Sequence, residues 1–285
     1  MLLIRLSSLT PIVAVLLWPG CASTVKAQRT PGPSHSLTVS LPKYPLKLSN
    51  NRRYLVDQGN APFLIVGDSP QDLMGRLTEE EADWYFANRQ SHGFNTLGWV
   101  DVVCAGRDSP DNKDASTVDG IIPFKGFVPG GNDYEHYDLS KPNEAYFTRL
   151  DHIVQLAAKH GLLIFLAPME TNGWLPTLNN NGFDAAYAFG QYLGNRYQRF
   201  ANVAWLSGND FVTWKEPMDD ALEQAVAKRI RSVAPDQLQT GHWQTRGRIN
   251  SLLREEIMMA ILTGCWCSRQ VTRFLLLTTK QSKER

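Results

Sequence analysis

Asn202-Val-Ala-Trp-Leu-Ser-Gly-Asn-Asp210 is an apolar run that stops at a polar tip. Val203 to Leu206 has the character of a strand buried on both faces, and Ser207-Gly208 ends it. Asn209 and Asp210 then stand where a parallel strand of an α/β protein delivers side chains to a ligand crevice. An amide beside a carboxylate suits sugar chemistry. The amide bonds a ring hydroxyl, and the carboxyl group protonates a leaving glycosidic oxygen. The same Gly208-Asn209-Asp210 also fits a turn that merely caps the next helix.

Outward from this strand, helices and apolar strands alternate. Leu162 to Ala167 is an unbroken apolar strand stopped by Pro168. Before it, Asn143 to Lys159 is amphipathic, with Phe147, Leu150, Ile153, Val154 and Ala157 on one face. Asp184 to Arg199 reads as the helix leading into the Asn202 strand. Further upstream, Gly93 to Val100 is a strand followed by Asp101, and Phe63 to Val66 is a buried strand ending at Gly67-Asp68. Thr78-Glu79-Glu80-Glu81 is a capping box that opens a helix to about Gln90. Lys47-Leu48 and Tyr54-Leu55-Val56 form a small hairpin. Downstream come a helix from Met218 to Val233 and a strand end at Gln239 to Trp243.

This alternation argues for a parallel α/β sheet. No glycine-rich phosphate turn follows any strand, which speaks against a dinucleotide or P-loop protein. No Gly-x-Ser-x-Gly elbow is present, which speaks against a serine hydrolase. The hairpin and the long aperiodic stretch from Arg107 to Pro142 favour a barrel over an open sheet.

The chain has 285 residues, 43% of them hydrophobic, enough for a sizeable core. A formal charge of +1 gives no reason to expect nucleic acid as a partner. Arg5 and the apolar stretch Pro11 to Trp18, with small residues around Val25-Lys26-Ala27, read as an export signal over 1–27, too short for a membrane span. The product is expected to be secreted or periplasmic; a lipoprotein anchored through Cys21 is the alternative, though Trp18-Pro19-Gly20-Cys21 is a poor lipobox. Residues 28–45, rich in Pro, Ser and Thr, read as a linker. Cys104 stands alone, and Cys265 and Cys267 are too close for an ordinary disulfide. Neither a disulfide framework nor a structural metal site follows from the sequence.

In a barrel the carboxyl ends of the strands form one rim. Asp68, Asn95, Trp99, Asp101, Glu170, Trp174, Asn209, Asp210, His242 and Trp243 all fall near such ends. Indole faces stack on the apolar side of sugar rings, while amides and acids satisfy hydroxyls, so the set suits a carbohydrate better than a phosphate or acyl group. Each member has a plainer reading as well. Asp68 fits a turn cap, Asn95 a strand bulge, Trp99 the core, Glu170 a solvated loop and His242 a structural histidine.

Residues from about Leu46 to Trp243 resemble the catalytic domain of the apiosidase-like glycoside hydrolases. The resemblance rests on Leu48-Ser-Asn-Asn-Arg-Arg-Tyr-Leu-Val-Asp57, Pro62 to Ser69, Leu77-Thr-Glu-Glu-Glu-Ala82, Gly93-Phe-Asn95 and Val203 to Asp210, in that order. It implies a (β/α)8 TIM barrel in the α/β class and two catalytic carboxyl groups, with pectin or hemicellulose side chains as carbohydrate substrates and no cofactor or metal. It further implies that Asp210, at the fourth barrel strand, is the general acid/base, and that Asn209 touches the hydroxyl beside the scissile bond. A retaining mechanism then needs a nucleophilic carboxylate from a later strand. A carbohydrate-binding barrel without catalysis is the rival reading, and a secreted α/β protein with a purely structural rim is a weaker one.

Only about five of the eight strand–helix units are legible, over 46–243, preceded by the hairpin. Residues 244–285 change character: from Arg246 on, six arginines and two lysines face three glutamates. They are expected to be aberrant, as from a failed reading frame, or else a divergent C-terminal helix. Five strands of an eight-stranded barrel leave exposed edges and an uncovered apolar interior, and Glu255 and Glu256 are not assigned as nucleophile, so the chain as written is expected to be poorly soluble and inactive as a glycosidase.

Overall fold

The computed structural model describes residues 41–104, 111–169, 171–211 and 217–243, with backbone alone for 171–173, 209–211 and 242–243. The export signal, most of the linker, Glu170 and the 244–285 tail lie outside the described residues.

Three short strands come first: β1 (Lys47–Leu48), β2 (Leu55–Val56) and β3 (Pro62–Phe63). They pair antiparallel in the order β1-β2-β3, with Leu48 opposite Leu55 and Leu55 opposite Phe63. The expected hairpin is present with one more strand. The apolar run Phe63 to Val66 is not the buried strand expected from its composition. Phe63 belongs to the small sheet, Leu64 is 70% exposed and Val66 40% exposed. The Asn95 side chain accounts for the difference. Its Oδ1 accepts from Val66 N at 2.9 Å and its Nδ2 donates to Leu64 O at 2.7 Å, doing with an amide what a neighbouring strand would do.

The parallel sheet begins at β4 (Gly67–Asp68). A Cβ at Gly67 would lie 2.2 Å from Thr96 O, so only glycine lets the two strands approach. After it come α1 (Leu73–Arg76), α2 (Glu79–Ser91), β5 (Thr96–Asp101), α3 (Glu144–Lys159), β6 (Leu163–Ala167), α4 (Thr171–Tyr197), β7 (Val203–Phe211), α5 (Pro217–Val233) and β8 (Gln239–Trp243). The strands run in the order β4-β5-β6-β7-β8, all parallel. Sequential parallel strands joined by helical crossovers are the repeating unit of a (β/α) barrel. Both ends of the capping box of α2 are made: Thr78 Oγ1 accepts from Glu81 N at 3.2 Å, and Glu81 Oε2 accepts from Thr78 N at 2.9 Å.

The sheet separates two apolar clusters. Leu97, Ile164, Leu166, Val203 and Trp205 face the helices and pack with Phe86, Phe147, Ile153 and Ile230. Leu163, Phe165, Ala204 and Leu206 face the other way, onto Leu46, Leu55 and Leu238, with Tyr44, Phe63 and Trp99 at the margin. The small sheet therefore covers the inner face near the strand starts, where Tyr44 Oη also donates to Gly161 O at 2.9 Å. The carboxyl ends are left to the crossover loops.

Helix α4 departs most from expectation. It runs from Thr171 and is interrupted at Gly182, where φ is 78° and ψ 179°. Its second half is the helix expected from Asp184 on. Its first half is not part of any element expected from the sequence. Gly190 and Gly194, one turn apart on α4, let α5 come close: added Cβ atoms would lie 2.5 Å from Val226 O and 2.2 Å from Val233 Cγ2. No helix of the described residues is long and apolar enough to cross a membrane.

Candidate active site

Because β4 to β8 are parallel, their carboxyl ends share one edge. Asp68 and Asp101 end β4 and β5, and Asn209, Asp210, His242 and Trp243 lie in the last residues of β7 and β8. Six of the expected rim residues are thus brought to one edge by the backbone. Asn95 is not among them. It precedes β5, at the opposite end of that strand from Asp101, and its amide is spent on residues 64 and 66. Glu170 lies outside the described residues.

Strand β5 carries a bulge. Leu97 pairs with Ile164 and Val100 with Leu166, so β5 spends one residue more than β6 over this interval. The extra residue rotates Trp99 from the helix-facing side, where Leu97 sits, to the inner face. There the Trp99 Nε1 donates to Asp101 Oδ1 at 2.7 Å. Asp101 is fully buried. Its burial does not suit the direct sugar contact expected of it, and its carboxylate instead holds the Trp99 indole. Trp99 keeps partial exposure and remains available as a platform.

Asp68 is tied to the helix layer. Its Oδ2 accepts from Tyr85 Oη at 2.6 Å and Arg89 Nε at 2.5 Å, both on α2. Burial, and then the Asp68 carboxylate, push the Tyr85 phenol up to about 12, so it stays a hydrogen-bond donor at any physiological pH. Asp68 Oδ1 is buried and has no hydrogen-bond partner among the described residues.

Trp174 is a core residue and not a platform. It is fully buried on α4, stacked on Tyr137 at 6.3 Å and edge-on to Tyr134 at 5.7 Å. These contacts hold the long β5–α3 loop down on the first half of α4. Asn181 Nδ2 donates to Tyr137 O at 2.8 Å, its Oδ1 accepts from Leu139 N at 3.0 Å, and Asn180 Nδ2 donates to Glu135 O at 2.9 Å. Loops that follow barrel strands wall the rim, so this clamp shapes one side of the site.

The tip of β7 is the most irregular element. Ser207 pairs with Gly241 and Phe211 with Trp243, leaving Gly208, Asn209 and Asp210 opposite His242 alone. Gly208 has φ of 95°, a left-handed value that glycine adopts without penalty. Its N–H donates to Glu223 Oε1 at 2.9 Å. Glu223 comes from α5, is 3% exposed, and was not read as a site residue from the sequence. Burial pushes its carboxyl group up to about 7, against the lowering effect of the Gly208 N–H. A glutamate in mid-helix carries no local signal of such burial. The one available hint was its place on the apolar face with Leu222, Val226 and Ile230. Among the described residues no group of three or more His, Cys, Asp or Glu side chains is arranged to hold a metal ion.

Comparison with known proteins fits this geometry. The family model described as apiosidase-like, catalytic domain, matches residues 49–264. No curated protein sequence matches the chain. Among solved structures, a glycoside hydrolase is similar at 23% identity and a TM-score of 0.56, over 71% of this chain and 41% of that one. A glycoside hydrolase family 5 structure from Bacteroides vulgatus is similar at 22% identity and a TM-score of 0.57, over 70% of this chain and 40% of that one. The chain thus spans about two-fifths of the length of these two structures.

Proposed function

The chain belongs to the apiosidase-like catalytic-domain family, and from that premise we propose that it serves glycoside hydrolysis on polysaccharide side chains, with Asp210 as the proton donor. The observation that carries this reading is the β7 tip. A bulge built on Gly208 presents Asn209 and Asp210 at the carboxyl edge of a parallel sheet, two strands from the Trp99–Asp101 pair. At strand spacings of about 5 Å, the two features span on the order of 10 Å, the breadth of one to two sugar rings.

In this reading Trp99 stacks on the apolar face of the sugar, and Asn209 bonds the hydroxyl beside the scissile bond. Asp210 protonates the leaving oxygen as the C–O bond breaks, and the electron pair of that bond leaves with the alcohol. A retaining reaction needs a carboxylate nucleophile on the opposite face of the ring. No carboxylate of the described residues is assigned that role, so turnover by the described part of the site is proposed to need an external nucleophile. The pectin and hemicellulose side chains named as substrates rest on the family resemblance. The stretch read from the sequence as an export signal supports a product outside the cytoplasm; a mature N-terminus near Gln28 in the secreted protein is the expected result.

The test uses a small external anion, azide or formate, in place of the nucleophile. Release of a weakly acidic aryl alcohol that requires the anion, and that falls at least about 100-fold in Asp210→Asn with sugar binding retained, is the expected result. Sugar binding with no release under any condition favours the carbohydrate-binding barrel. Release without the anion places the nucleophile within this chain.

A further inference from the structure

The β7 tip departs from a regular strand in a way that needs a cause. Three residues of β7 face one residue of β8 between the Ser207–Gly241 and Phe211–Trp243 pairs. Such bulges re-aim the side chains that follow them, and each frees backbone groups from the ladder. The freed groups must be satisfied, because an unpaired buried N–H costs about as much as a lost hydrogen bond. At Gly208 the partner is Glu223 Oε1, at 2.9 Å.

Glutamate is an expensive partner. The side chain is 3% exposed, Oε2 is buried with no hydrogen-bond partner among the described residues, and burial makes its ionised form unfavourable. The flanking helix positions Leu222, Ala225 and Val226 are apolar and buried, so a hydrophobic residue fits the local pattern better. What a hydrophobic residue lacks is an acceptor that reaches the strand from the helix layer. Gly208 lies two residues before Asp210, in the same distorted segment.

We propose that Glu223 is a positioning residue: by capping the Gly208 N–H it locks the β7 bulge and so fixes the height and direction at which Asn209 and Asp210 leave the sheet. The inference rests on the reading of Asp210 as proton donor. Glu223 never touches the sugar in this account. It acts only through the backbone between residues 208 and 210.

Two substitutions separate the capping oxygen from the side-chain volume. Glu223→Gln keeps an acceptor for Gly208 N–H, whereas Glu223→Met keeps the length and removes the acceptor. Hydrogen exchange is followed across 206–211 in the full 285-residue protein, and anion-assisted aryl-glycoside release is measured beside it. In E223M the amides of 208–210 are expected to exchange at least tenfold faster while β6 and α3 are unchanged. Its kcat is expected to fall about tenfold with KM held, and E223Q is expected to restore both. Should E223M not fold, Gly208→Ala loosens the same bulge from the strand side and is expected to give the same local exchange. Wild-type exchange at 208–210 in E223M, or faster exchange with unchanged kcat, overturns the proposal. A wild type that releases no sugar under any condition defeats the reading of Asp210, and the exchange result then decides the lock alone.

Discussion

Trp99 and Asp101 are held together across the bulge of β5, with the indole Nε1 donating to Asp101 Oδ1 at 2.7 Å. The bond orients an amphipathic ring at the rim and satisfies one oxygen of a fully buried carboxyl group. Replacing Trp99 with Phe keeps the ring and removes the donor. Losing that hydrogen bond to a buried carboxyl group is expected to cost about 1–3 kcal/mol in urea unfolding. Asp101→Asn, which can still accept from Nε1, is expected to cost less than W99F. Equal losses in the two variants show that the donor is not what matters.

Gln237 joins three elements. Its Oε1 accepts from Trp205 Nε1 at 2.7 Å, and its Nε2 donates to Tyr197 O at 2.8 Å and Phe200 O at 3.0 Å. Gln237→Leu strands a buried indole N–H behind β7 and takes one donor each from Tyr197 O and Phe200 O, which still accept from Phe200 N and Val203 N. A loss of about 3 kcal/mol is expected, on the scale of a broken buried network. A loss under about 1 kcal/mol in calorimetry contradicts the assignment.

The α4–α5 contact depends on missing side chains. A Cβ at Gly190 would sit 2.5 Å from a backbone oxygen, Val226 O, which cannot step aside as a flexible side chain would. Gly190→Ala is therefore expected to destabilise by about 1–3 kcal/mol, although alanine is the better helix former by nearly 1 kcal/mol. A stabilised G190A shows that the helices are free to move apart.

Much of this was open to reading and some was not. The capping box at Thr78, the α3 face, and the bounds of β6 and β8 follow local rules of period and capping. The first half of α4 was hidden because Gly173, Pro176 and Asn179 to Asn181 favour loops. Burial of Trp174 among Tyr134 and Tyr137 overrides that preference. Phe63 to Val66 misled because an unbroken apolar run says nothing about which sheet takes it. At the rim, strand parity placed Asp101 and Asp210 at the right edge. Asn95 and Trp174 failed as site residues because their side chains are committed to partners distant in sequence, and Glu223 was missed for the same reason.

Stability should depend on pH through Glu223. Burial raises its carboxyl group from the ordinary 4.5 to about 7. The folded state therefore binds a proton that the unfolded state has released, and stability falls as pH rises from about 4.5 to about 7 and then levels. The drop from this group is on the order of 3 kcal/mol. Asp219 and Asp220 lie one turn earlier on the same helix and are themselves buried, but the cause resolved for Glu223 is desolvation. Glu223→Gln is expected to flatten this part of the profile, with a higher Tm than wild type at pH 8 and a similar one at pH 5. A wild-type Tm that does not fall between pH 5 and 8, after allowance for other groups in E223Q, contradicts it.

The central claim is that Asp210 donates a proton to the leaving oxygen, and leaving-group dependence tests it most directly. Anion-assisted release is measured for a series of aryl glycosides whose phenols span acidic to weakly acidic, in wild type and Asp210→Asn. The account predicts near-equal rates for the most acidic phenol, which needs no proton, and a loss growing to about 100-fold or more for the least acidic. A loss that is the same across the series, or no loss at all, contradicts Asp210 as the acid.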